Sequence, residues 1–134
     1  LKKQLTVGLY LSYNFSKENG CALEIWEGEN VKTPDCKLIK KIDEVIPYYN
    51  RFVMFTCNDY SWHGNPEPLE NIDDVDNTKR IFITISYLSE NFEDENKFVK
   101  AYFIARPNDP MDKVKDEYRL LRVDPEKYKE VYRI

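Results

Sequence analysis

The 134-residue sequence predicts a mainly β protein, an antiparallel barrel or double-sheet jelly roll that ends in a short helical tail. Three observations predict it. Two segments, "QLTVGLYLS" and "KRIFITISYLS", alternate apolar and polar residues with the period of two that a half-buried strand requires. Short apolar runs are separated by stretches rich in Asn, Ser, Gly and Pro, which are turn chemistry. After residue 109 the period changes to that of an amphipathic helix.

In the first segment Leu5, Val7, Leu9 and Leu11 face one way, and Thr6, Gly8, Tyr10 and Ser12 the other. Such a strand packs an aliphatic face on one side and lines a small, polar space on the other. "YNFSKENG" reads as a turn and "CALEIWEG" as a second strand, which together predict a hairpin. Residues 30 to 43 are charged and broken by Pro34, and are expected to be irregular. A strand over Arg51 to Cys57 follows a Pro-Tyr-Tyr-Asn turn. "NDYSWHGNPEPLENIDDVDNT" reads as loop. In the strand 80–88, Ile81, Ile83, Ile85 and Tyr87 share one face, and Arg80, Phe82, Thr84 and Ser86 the other. "KFVKAYFIAR" reads as a further strand or a strand-like extension. Asp109-Pro110 has the form of an N-cap followed by Pro at the first helical position, ahead of the stripe Val114, Tyr118, Leu121. Asp124-Pro125 repeats that signal for a last short helix. The aliphatic faces of 5–11 and 81–85 need a cover, and the tail is expected to supply part of it.

The length fits a single domain over residues 1–134. The net charge of −4, with both signs interspersed, lacks the basic face of a nucleic-acid binder. Cys21, Cys36 and Cys57 are far apart and show no zinc spacing, so reduced thiols in a cytoplasmic compartment are expected. The apolar runs are too short for a membrane-spanning helix. The chain opens on a strand at Leu1, which predicts a fragment cut inside a domain.

The polar strand faces gather the candidate site. Tyr10 lies on one, and Arg80 and Thr84 on another. His63, the single histidine, follows the strand that ends near Cys57. A guanidinium in a half-apolar space is costly without a partner. An external carboxylate would match its fork, with the two hydroxyls assisting. The alternative is a pairing of Arg80 with a loop acid such as Asp73, Asp74 or Asp76. A lone histidine is by itself as readily a packed or solvated side chain.

Four segments, in order and spacing, carry a resemblance over residues Leu5 to Leu88: "LTVGLYLSYNF", "NGCALEIW", "YYNRFVMFTCNDYSWHGNPEPL" and "RIFITISYL". The chain resembles the 2-oxoglutarate- and Fe(II)-dependent dioxygenases of the prolyl-4-hydroxylase-like group. The resemblance implies a double-stranded β-helix, the jelly-roll or cupin-like core. It implies that His63 is the distal histidine of an iron-binding 2-His-1-carboxylate triad. It implies that Arg80 binds the far carboxylate of 2-oxoglutarate and that Thr84 and Tyr10 assist. The activity implied is hydroxylation of a peptide, protein or small-molecule substrate, peptidyl proline among them, with O2 consumed and succinate and CO2 released. Ascorbate is an accessory reductant that the resemblance allows.

One departure is serious. The family's other two ligands form an HxD motif just before the strand that carries Tyr10, and no HxD or HxE occurs in these residues. The missing pair is expected upstream of Leu1, and the fragment alone is expected to be inactive. The rival expectations are a jelly-roll binding module without iron and an interaction domain in which His63 and Arg80 are incidental. The acids Glu67, Glu70, Asp73, Asp74 and Asp76 suggest either a preference for basic peptides or a solvated loop.

Overall fold

The computed structural model describes residues 2–29, 33, 35–74, 77–90 and 101–124. Six strands form: β1 (Lys2–Tyr10), β2 (Leu23–Gly28), β3 (Leu38–Val45), β4 (Arg51–Thr56), β5 (Trp62–Gly64) and β6 (Phe82–Ser89). They make two antiparallel three-stranded sheets, ordered β4-β1-β6 and β3-β2-β5. One helix, α1 (Lys113–Val123), follows. The protein is mainly β, as the alternation predicts.

Register fixes the faces of the first sheet. Tyr10 pairs with Arg51 and Phe82, Gly8 with Val53 and Thr84, and Thr6 with Phe55 and Ser86. Directly paired residues share a face, so these nine residues form one side. Leu9 pairs with Phe52 and Ile83, Val7 with Met54 and Ile85, and Leu5 with Thr56 and Tyr87, on the other. The small, polar side is the buried one, with Thr6 at 5% and Tyr10 at 1% exposure. The aliphatic side is open, with Phe52 at 60% and Ile85 at 54%. Gly8 is required by close approach: a Cβ there would run into the ring of Phe82, which lies against Tyr10 at 4.5 Å between centroids. Asn50 turns the chain into β4 at φ 58°, a left-handed conformation that asparagine tolerates.

The structure corrects several expectations. β1 and β2 do not form a hairpin, because they belong to different sheets; residues 11–22 carry the chain across, through a 3₁₀ turn at Lys17–Asn19. Residues 38–43, expected to be irregular, belong to β3, which pairs with β2. His63 stands on the short strand β5 and not in a loop. Residues 101–106 are not strand, and residues 97–100 lie outside the described residues. The N-cap of α1 is Asp112, whose carboxylate accepts from the backbone N–H groups of Val114 and Lys115 at 3.1 Å each. Asp109 instead binds Arg106. No strand packs extensively on α1 among the described residues, and Val114 and Tyr118 are exposed, so α1 does not cover the aliphatic face. The helix expected after Asp124-Pro125 lies outside the described residues.

Candidate functional site

The buried face of the first sheet brings Tyr10 and Arg80 together. Tyr10 occupies the end of β1, and Arg80 lies just before β6, whose first residue pairs with Tyr10. The Arg80 guanidinium carbon is 5.4 Å from the Tyr10 ring centroid and 5.8 Å from that of Phe82. Arg80 Nε is buried and meets no hydrogen-bond acceptor among the described residues. A buried donor left unpaired costs on the order of 1–3 kcal/mol. Tyr10 is fully buried, which pushes its phenol above the ordinary value, while the adjacent charge and donors of Arg80, with Asn65, act in the opposite direction.

Thr84 shares this face, opposite Gly8, and its side chain is exposed. Tyr10 and Arg80 are therefore in contact, whereas Thr84 stands two residues further along β6 from Phe82. None of the ion pairs among the described residues joins Arg80 to Asp73 or Asp74; Asp76 lies outside the described residues. Asp74 instead organises its own turn, accepting from the backbone and side chain of Asn77.

His63 reaches the same face from the second sheet. It pairs with Ile25 across β5 and β2, and its ring meets Phe55 of β4 at 4.4 Å between centroids and 58° between planes. Phe55 is on the buried side of the first sheet, so here the two sheets approach each other. The His63 Nδ1 lies 2.7 Å from the Ser61 carbonyl oxygen. A carbonyl only accepts, so the proton belongs on Nδ1 and the ring's lone pair on Nε2, the tautomer suited to metal ligation. An iron triad needs two imidazoles and a carboxylate. The chain has one histidine, and no three His, Cys, Asp or Glu side chains gather as a metal site among the described residues. His63 supplies one ligand of three, so these residues do not by themselves fit an iron ion.

Two features are missed by the sequence reading. The first is Asn65, whose Nδ2 donates to the Cys21 carbonyl at 3.2 Å and whose side chain also neighbours the Tyr10 hydroxyl. The second is a cleft of about 340 Å³ on the opposite side of β2, lined by Glu24, Trp26, Lys41, Glu67, Arg106 and Asp109. Glu24 is almost fully buried, accepts from Trp26 Nε1 at 2.7 Å and faces Lys41 and Arg106 at 3.5 and 3.7 Å. Arg106 also pairs with Glu67 and Asp109. These charges satisfy one another and pin the segment around Arg106 onto the second sheet. Trp62 is core beside them, and Tyr60 is on the surface.

No family model, no curated protein and no solved structure matches this chain. No helix among the described residues is long and apolar enough to cross a membrane.

Proposed function

We propose that this chain binds 2-oxoglutarate through Arg80, as part of an Fe(II)-dependent oxygenase that hydroxylates a substrate, peptidyl proline being the first candidate, and releases succinate and CO2. In this reading the two sheets are the facing halves of a double-stranded β-helix. The observation that carries it is the buried Arg80 Nε without an acceptor, set against Tyr10 on the inner face of the first sheet. A carboxylate oxygen would satisfy that donor, and the Tyr10 hydroxyl stands beside it. Thr84 is the next hydroxyl along the same face. His63 would give iron one ligand through Nε2. Bound iron would supply the oxidising chemistry, and its remaining protein ligands would have to come from outside these residues.

The runner-up is a jelly-roll binding module that uses Arg80 for a carboxylate and holds no iron. The single histidine of the chain favours it.

Calorimetric titration with 2-oxoglutarate tests what both readings share. Arg80→Ala is expected to weaken binding by about thirtyfold or more, the loss usual when one member of a buried charge pair is truncated. Unchanged affinity would remove the carboxylate site. Anaerobic Fe(II) titration of the protein extended upstream of Leu1 then separates the two. Fe(II) binding that His63→Ala abolishes supports the oxygenase; an extended protein that binds 2-oxoglutarate but no iron supports the module.

A further inference from the structure

Asn65 joins two elements that the proposed site depends on. It follows β5, two residues after His63, and alternation puts it on the side of that strand that looks toward the first sheet. One of its amide hydrogens is committed to the Cys21 carbonyl, at the left-handed residue that precedes β2. Its side chain is also a hydrogen-bonding neighbour of the Tyr10 hydroxyl, from the opposite side of the space between the sheets.

A phenol oxygen has one proton to give and two lone pairs to receive with. Toward Arg80 the Tyr10 oxygen can only accept, because a guanidinium has no acceptor. Asn65 acts on Tyr10 in the same sense as Arg80, favouring negative charge on the oxygen, which is the behaviour of a second donor. With both lone pairs engaged, the Tyr10 proton has to point to an acceptor outside this trio. Arg80 Nε–H has the same requirement. Two donors in search of acceptors, side by side, match the two oxygens of one carboxylate. They do not match a carboxamide, whose NH2 would oppose one of them.

We propose that Asn65 is a positioning residue that holds the Tyr10 hydroxyl with its proton turned toward the bound anion, so that the site selects a carboxylate over the corresponding amide. The proposal rests on the carboxylate-binding reading of Arg80 and adds a residue and a selectivity to it.

The test is calorimetric titration with 2-oxoglutarate and with its 5-amide, on the wild type, Asn65→Ala, Asn65→Asp, Tyr10→Phe and the Asn65→Ala/Tyr10→Phe double variant. Far-ultraviolet circular dichroism controls for folding. The wild type is expected to favour the diacid by about a hundredfold or more. Asn65→Ala is expected to lose about tenfold in diacid affinity, the scale of one hydrogen bond to a charged group. Asn65→Asp keeps the shape but puts a carboxylate beside Arg80, and should lose more than Asn65→Ala. In the Tyr10→Phe background, Asn65→Ala should cost nothing further, because the hydroxyl it positions is gone. An equal loss in both backgrounds, or an Asn65→Asp variant that binds like the wild type, would overturn the role of Asn65. Absent diacid binding in the wild type, or unchanged binding in Arg80→Ala, would instead overturn the site itself and this inference with it.

Discussion

The two faces of the first sheet are built from the same three strands and are treated in opposite ways. The side made of Thr6, Gly8, Tyr10, Phe82 and their partners is small, hydroxylic and buried. The side made of Leu5, Val7, Leu9, Phe52, Met54, Ile83 and Ile85 is aliphatic, and its flanking strands stand open to solvent. Apolar burial is the main driving force of folding, so a strand with one aliphatic and one polar face would be expected to bury the aliphatic one. Here the polar face lies toward the second sheet, with an unpaired guanidinium nitrogen among its side chains. The arrangement is understandable if that face is shaped to meet a ligand. A large exposed apolar face marks a surface that something else is meant to contact.

This contrast can be broken at several points. The largest effect is expected from Tyr10→Ala, which removes a 1%-exposed ring and should cost about 3–5 kcal/mol in urea denaturation. A cost below 1 kcal/mol would mean that the polar face is not a packed core. Gly8→Ala comes next. The new methyl collides with the Phe82 ring, and overpacking of this kind costs about 1–3 kcal/mol. Trimming the ring with Phe82→Leu in the same chain should restore part of the loss.

A smaller effect should appear with pH. Burial raises the Tyr10 phenol above its usual value near 10, so the folded state holds this proton more tightly than the unfolded chain does. The stability it contributes is complete below about pH 10 and is lost as pH rises through the higher folded value. Denaturation midpoints should therefore fall above pH 10, and less steeply in Tyr10→Phe; parallel curves would exclude Tyr10 as the group responsible. The smallest effect is expected on the open side. Ile85→Thr keeps a β-branched strand residue at a 54%-exposed position, and should change stability by no more than about 0.5 kcal/mol. A loss near that of Tyr10→Ala would show that the aliphatic face is covered in solution.

The parts that the sequence makes legible are those where one face is uniform. β1 and β6 announce themselves by four aliphatic or aromatic residues in strict alternation, and the faces read from that alternation match the register. β3 is illegible because Lys40, Lys41, Asp43 and Glu44 crowd it with charge; it is an edge strand, where charge protects an open edge rather than marking a loop. β5 has three residues, too few for any period. Strand partnership is a further blind spot. Adjacent strands β1 and β2 suggest a hairpin, and only the folded chain reveals that the turn between them changes sheets. In the candidate site, Tyr10 and Arg80 are visible as polar residues on otherwise apolar strands. Asn65 is not, because nothing in "HGNPEP" distinguishes a bridging amide from an ordinary turn asparagine. Asp109 and Asp112 illustrate a related ambiguity: both look like caps, and the choice falls to the one not claimed by Arg106.

The strand order β4-β1-β6 has a consequence for how this protein comes into being. β1 is the first strand made by the ribosome, yet it is the central member of its sheet, and its partner β6 is separated from it by most of the described chain. The β2–β3 pair can zip together as soon as it is synthesised. β1 must wait as a half-greasy ribbon with bare edges until β4 and then β6 emerge. Pairing across such a span is slow, and an unpaired edge invites association with the wrong strand meanwhile. Folding in this molecule should therefore begin in the second sheet, with the strand that holds Tyr10 among the last to be enclosed.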